Sequence, residues 1–261
     1  MGAFPNHPDE VRMTFSEHLD ELRKRFGYSL LFLGILFFVG WTLFSSQLES
    51  IFLRPHREAV AALAASDPPV VLESRLAVLA PVEHIFFDMK IAFLAALAFG
   101  LPALLWQIWS FIATGLFPKE RRVVLSILPF SLISGAAGIG FGYFVLIPTV
   151  LQFLYGMVDT NLMVHAYRLA DYFSMFFLLT VALAIIFQLP LLMVGLHAAG
   201  LVQQKMLRHY RRHFILGAFV LSALLTPPEP LSQVLMALPT AILYELGLLL
   251  VTLRERRAQQ A

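Results

Sequence analysis

The sequence predicts an all-α integral membrane protein that crosses the bilayer six times, and three observations carry that prediction. The first is composition: of 261 residues 59% are hydrophobic and only 14% charged, with a mean hydropathy of +0.76. A water-soluble domain is nearer half apolar and a quarter charged, so this chain lacks the polar surface to cover itself in water. The second is a series of six apolar segments separated by shorter polar stretches. Most reach the roughly 18 residues that a spanning helix needs. The third is the placement of the basic residues, which cluster in alternate connections between those segments.

The six expected spans cover approximately residues 26–44, 85–109, 123–154, 172–196, 214–225 and 231–253, all within a single membrane domain of residues 1–261. Ahead of the first lies a charged amphipathic helix, Thr14–Phe26. Thr14 and Glu17 have capping-box spacing. Phe15, Leu19, Leu22 and Phe26 form one apolar stripe, and the i,i+4 pairs Asp20/Lys24 and Glu21/Arg25 support the opposite face. That helix is expected to lie at the membrane surface. Residues 1–25 are charge-rich before any apolar run, unlike a cleavable signal, so the first span is expected to remain as an anchor. Asp88 and Lys90 stand near the start of the second span and Pro102 within it. In the third, Gly138 and Gly142 offer a small-residue face for close helix packing. The fourth contains Gln188 and Pro190. A basic loop, 203–213, then precedes a fifth segment of only 12 residues, and three prolines within Thr226–Pro230 separate it from the sixth. The last two helices are accordingly expected to be short, with local thinning or shielding by neighbours. On the other side, residues 45–83 carry Leu53-Arg-Pro-His56 and the turn signal Asp67-Pro-Pro69, and read in part as an interfacial amphipathic helix.

Fourteen of the nineteen basic residues fall before the first span, between the second and third, between the fourth and fifth, or after the sixth. Arg54, Arg57, Arg75, Lys90 and Arg168 lie on the alternate side. The positive-inside rule then places both termini in the cytoplasm. The same clustering explains the +2 net charge and pI near 9.0 without invoking nucleic acid.

Enzyme chemistry finds no support. The chain has no cysteine, no HExxH, no GxSxG and no P-loop, and its Gly138–Gly142 cluster lacks a strand context. No cofactor is expected. His209 and His213 have ligand spacing, but Arg208, Arg211 and Arg212 among them would repel a metal, so a basic interfacial loop is the simpler reading. Two carboxylates, Glu21 and Glu120, stand beside membrane crossings on the expected cytoplasmic side. Each has an ordinary explanation, Glu21 as a surface pair with Arg25 and Glu120 as an acid in a helix's first turn. Together they would suit a ligand with guanidinium groups, which match carboxylates bidentately. Inside the apolar segments stand Gln188, Gln233 and Glu245, polar groups that lipid makes costly unless they are partnered or functional.

The motifs His18-Leu-Asp-Glu-Leu-Arg-Lys-Arg25, Gln107-Ile-Trp-Ser-Phe111, Pro118-Lys-Glu-Arg-Arg122, Phe141-Gly-Tyr-Phe144 and Leu225-Thr-Pro-Pro-Glu-Pro-Leu-Ser-Gln233 follow one another along the chain. In that order they resemble the TatC family, the multispanning receptor subunit of the twin-arginine protein translocase. The resemblance covers about residues 13–250. It implies a cupped bundle in a prokaryotic cytoplasmic (inner) membrane that binds twin-arginine signal peptides of folded precursors. It implies partnership with single-span TatA/TatB-type subunits and membrane lipid, self-association, and transport driven by the proton-motive force. Glu21 and Glu120 are the implied signal-recognising acids, supported by Leu19, Arg23, Phe111, Arg121 and Arg122. Pro55, Gln188, Glu229, Gln233 and Glu245 match positions implied to contact partners or to line the membrane interior. Two departures stand out: Gln188 replaces a glutamate frequent in the family and cannot titrate, and Glu229 replaces an aspartate. The alternative is a small-solute or ion transporter, which the sparse intramembrane polar set and the lack of a repeat disfavour.

Overall fold

The computed structural model describes residues 15–66, 72, 75–80, 82–114, 118–157, 167–227 and 229–260, with side chains placed except at 15, 118–125 and 257–260. The expected cap residue Thr14 and the Asp67-Pro-Pro69 turn lie outside the described residues. Everything described is helical apart from short connections: α1 Phe15–Leu43, α2 Ser45–Ala64, α3 Glu83–Thr114, α4 Pro118–Phe141, α5 Ile147–Gly156, α6 Leu169–Ile186, α7 Leu189–Ala198, α8 Gln204–Leu225 and α9 Pro230–Gln260. A π-helical turn, Gly142–Leu146, joins α4 to α5 without a break, and Phe187–Gln188 form a bend between α6 and α7. Five stretches are long and apolar enough to cross a membrane: 16–43, 83–114, 126–156, 169–198 and 230–256.

Three sequence expectations are corrected here. The charged stretch before the first span is the first third of α1, a single helix of 29 residues and about 43 Å, so it projects along the span instead of lying across it. The stretch 203–213 is not a loop, since residues 204–213 are the opening turns of α8. That makes α8 22 residues long, of which the apolar part is still the expected 214–225. Nor is the last helix short: α9 has 31 residues. The helical turns at 204–213 and at the end of α9 extend past the apolar segments because their helix-favouring Arg, Lys and Gln content continues.

Packing follows the small and apolar faces. α2 buries Phe52, Pro55, His56, Ala59 and Val60, the i, i+3, i+4, i+7, i+8 face that its amphipathic pattern predicts. Leu146, Ile147, Leu179, Leu183 and Met236 are fully buried where the π turn, α5, α6 and α9 meet. A Cβ at Gly138 would come within 2.7 Å of the Leu183 carbonyl oxygen and 2.9 Å of Phe187, so the small face predicted on the third span is where α4 and α6 touch. Gly200, with φ +69°, turns the chain between α7 and α8 as side-chain-bearing residues rarely can.

The two ends of the bundle differ. At one, the start of α1 meets the end of α3, the start of α4 packs on α7, and the α7–α8 connection meets the end of α9. At the other, α2 lies across α5 and α6, and residues 77 and 167–169 form a small parallel bridge. The described residues of the four basic clusters thus share one end.

Candidate functional site

At the basic end, His18, Glu21 and Arg25 occupy one face of α1 at i, i+3, i+7 spacing, turned toward α3. The Arg25 guanidinium bonds the Glu21 carboxylate through Nη2 at 2.5 Å and donates from Nη1 to Gln107 Oε1 at 3.2 Å. His18 stacks on Phe111 with centroids 4.3 Å apart. Gln107 and Phe111 are themselves i,i+4 neighbours on α3. The Glu21 and Arg25 side chains are only 24% and 21% exposed, so this pair is more shielded than the surface bridge that sequence suggests. Buried Arg25 Nε and His18 Nδ1 have no hydrogen-bond partner, leaving unused polar capacity beside the carboxylate.

Leu19 and Arg23 point away from this seam and are exposed. So are Leu22 and Phe26, at 43% and 62%, so the apolar stripe of the first helix faces outward and a polar stripe makes the protein contact. Phe111 is half-buried against His18. Glu120, Arg121 and Arg122 belong to the first turns of α4, and their side chains lie outside the described residues. His18 and Gln107 stood in the quoted motifs without a role. A polar glutamine one turn before Phe111 in an apolar helix was the signal that could have marked the α1–α3 seam.

The three polar residues that the sequence marks within the apolar segments, Gln188, Gln233 and Glu245, are each engaged. Trp109 Nε1 donates to Ser131 Oγ at 2.9 Å, Ser131 Oγ donates to Gln188 Oε1, and Gln188 Nε2 donates back to the Ser131 carbonyl at 3.1 Å. Gln188 therefore cross-links α3, α4 and the α6–α7 bend. Gln233 Nε2 donates to the Phe219 carbonyl at 3.2 Å, closing the α8–α9 hairpin. Glu245 pairs with Arg211 of α8, so it is an ion pair near the basic end and not a lone midplane acid. Glu229, 8% exposed, accepts from the amides of Leu231 at 2.8 Å and Ser232 at 2.7 Å, capping the start of α9.

Pro55 sits inside α2 and is buried. Proline removes the amide that would serve the Ile51 carbonyl; Tyr143 Oη supplies the missing donor at 2.7 Å. Beside it Tyr172 Oη donates to the Phe52 carbonyl at 2.8 Å, and His56 Nδ1 lies 2.9 Å from Tyr155 Oη.

Along α3 runs an apolar groove of contiguous depressions, of about 170 and 420 Å³, that share Leu94, Ala98, Ile139 and Thr180. Gln188 lines its deeper end, and the buried Thr180 Oγ1 on its wall has no partner. The residues that could hold a cation are elsewhere: Glu49 of α2 with His84 and Asp88 of α3 bring ligand atoms within 4.8 Å of one another.

Residues 17–239 match the family model described as Sec-independent protein translocase protein (TatC). The chain is 34% identical over 250 residues to a Sec-independent protein translocase protein TatC of Deinococcus radiodurans, covering 94% of this chain and 88% of that protein. To its namesake in Campylobacter jejuni it is 35% identical over 237 residues, covering 90% and 91%. The crystal structure of the twin-arginine translocase receptor TatC superimposes with a TM-score of 0.74 at 31% identity, over 90% of this chain and 98% of that one.

Proposed function

Since this chain belongs to the TatC family, we propose that it is the receptor core of a twin-arginine translocase in a prokaryotic cytoplasmic membrane, binding precursor signal peptides at the Glu21 end of the bundle. In this reading the chain is one six-span domain, with α8 as the additional crossing and both termini in the cytoplasm. The clustering of basic residues at the Glu21 end supports that orientation. It works without catalysis or cofactor, alongside single-span TatA/TatB-type subunits, membrane lipid and further copies of itself, and the proton-motive force drives transport.

The observation that carries the reading is the Glu21–Arg25–Gln107 arrangement. Glu21 already holds a guanidinium, bound to it through one amino group and to Gln107 through another. A guanidinium from a signal peptide is the same ligand, and it reaches Glu21 by exchange with Arg25, which Gln107 retains. Glu120 takes the second arginine. Leu19 and Phe111 offer apolar contact to residues flanking the pair, and Arg23, Arg121 and Arg122 hold the acids' surroundings. Lysine would serve poorly, since its ammonium lacks the planar fork.

The small-solute transporter has less support. Gln188, Gln233 and Glu245 are separately engaged with protein partners and do not converge on one cavity.

Site-specific photocrosslinking of a twin-arginine precursor in membranes tests the site. The Glu21→Ala/Glu120→Ala protein is expected to insert normally and lose most of the crosslink; an undiminished crosslink refutes the assignment. Arg25→Gln tests the exchange: removing the resident guanidinium is expected to tighten signal binding, whereas unchanged or weaker binding rules the exchange out.

A further inference from the structure

At the end of the bundle opposite Glu21, a cleft of about 390 Å³ opens between the start of α3 and the start of α6. Its walls are apolar, chiefly Val82, Phe86 and Phe173, and its lining includes Lys90, Arg168 and the carboxylate of Glu83. We infer that this cleft is a binding site for an anionic glycerophospholipid, with Lys90 and Arg168 holding the phosphodiester and Phe86 and Phe173 holding the upper acyl chain.

Depth is the first argument. α3 has 32 residues, about 48 Å, well beyond the roughly 30 Å of a hydrocarbon core. Its apolar stretch opens at Ile85, so Phe86 stands at the top of the hydrocarbon, and Lys90, one turn further in, reaches back toward the headgroups along its flexible stem. Arg168 immediately precedes the first residue of α6, and the 77/167–169 bridge fixes its backbone, with Ala77 N donating to the Tyr167 carbonyl at 2.7 Å and Leu169 N to the Ala77 carbonyl at 3.1 Å. The two cations therefore reach headgroup level from neighbouring helices, Arg168 at a helix start and Lys90 along its stem.

Charge is the second. The cleft offers two cations against one carboxylate. Glu83 Oε2 already accepts from the amides of Leu79 and Ala80 at 2.8 and 3.3 Å. Lys90 Nζ rests over the Phe173 ring, 5.5 Å from its centroid, an interaction that leaves its N–H donors free to take a phosphate oxygen. The surplus positive charge selects an anionic headgroup, and the exposed Phe86, at 57%, selects a molecule with an acyl chain over free phosphate. The site requires only that the helices cross a membrane, so it stands apart from signal binding at the other end.

Native mass spectrometry of the full chain released from nanodiscs of equimolar phosphatidylglycerol and phosphatidylethanolamine tests this. The wild-type protein is expected to retain phosphatidylglycerol about tenfold over phosphatidylethanolamine, because both offer the phosphodiester but the two cations repel the ethanolamine ammonium. In Lys90→Gln/Arg168→Gln the ratio is expected to fall to near one, and in Lys90→Arg/Arg168→Lys, which keeps both charges, to persist. Arg57→Gln, an exposed α2 cation at the same end, is expected to leave it unchanged. No preference in the wild type, an undiminished preference in the double glutamine variant, or an equal loss in Arg57→Gln each overturns the site. Added glycerol phosphate that displaces the lipid from the wild type would show that the headgroup alone is recognised, contradicting the acyl contact. If the double variant does not fold, Lys90→Gln and Arg168→Gln separately are each expected to lose part of the preference, and full retention in both overturns it.

Discussion

A proline buried in a helix is tolerated when the carbonyl it orphans finds another donor, and α2 solves this with side chains from elsewhere in the bundle. Tyr143 serves the Ile51 carbonyl and Tyr172 the neighbouring Phe52 carbonyl. The two bonds differ in setting: Ile51 is 52% exposed, so water or headgroups can replace the tyrosine, whereas Phe52 is 4% exposed. Tyr143→Phe is therefore expected to cost about 1 kcal/mol and Tyr172→Phe about 1–3 kcal/mol. Thermal unfolding in detergent should rank Tyr172→Phe as the less stable; the reverse order would mean that the burial argument fails. At this scale the sequence was legible where partners are close along the chain. Glu21 and Arg25, four residues apart, were paired correctly. Arg25 and Gln107, separated by 82 residues, could not be paired from local spacing, and neither could the Trp109–Ser131–Gln188 chain.

Between elements, contact distance is set by which residues lack side chains. Gly138 meets the Leu183 carbonyl so closely that an added methyl must push α4 off α6, and backbone cannot yield as a flexible side chain can. Gly140, two residues on, has nothing within 4 Å of an added Cβ. Gly138→Ala is expected to lose about 1–3 kcal/mol by overpacking, while Gly140→Ala is expected to be neutral or to gain up to about 1 kcal/mol of helix propensity. Equal melting temperatures for the two variants would contradict this contact. Element existence was readable from apolar length and element ends were not. The fourth span was expected at 172–196 and occupies 169–198, but the helical turns of 204–213 and 254–260 carry charge and leave the apolar pattern, so they read as loop.

At the scale of the whole molecule, the two ends do different work. One gathers the basic clusters and the Glu21 seam; the other is a lid of α2 and the 77/167–169 bridge fastened by tyrosines and His56. The sequence proposes a recognition site as two acids on one expected face of the membrane; the structure brings Glu21 to the α1–α3 seam, while the Glu120 side chain lies outside the described residues. The groove along α3 and the cleft between α3 and α6 are not legible in the sequence, because each is made by residues from helices distant along the chain.

The tyrosine fastening also dictates a timetable. Ile51 and Phe52 wait for donors 92 and 120 residues downstream. At about 5–20 residues per second, a ribosome needs roughly 5–25 s to supply them. During that interval α2 has a proline in its middle, its tyrosine donors are not yet made, and of its α3, α5 and α6 neighbours only α3 precedes Tyr143, so it stands largely exposed. Pulse-labelled nascent chains arrested before Tyr143 should be cut within α2 by a protease on that side of the membrane, and chains released after α6 should resist. Equal protection of both would show that α2 docks without its tyrosines.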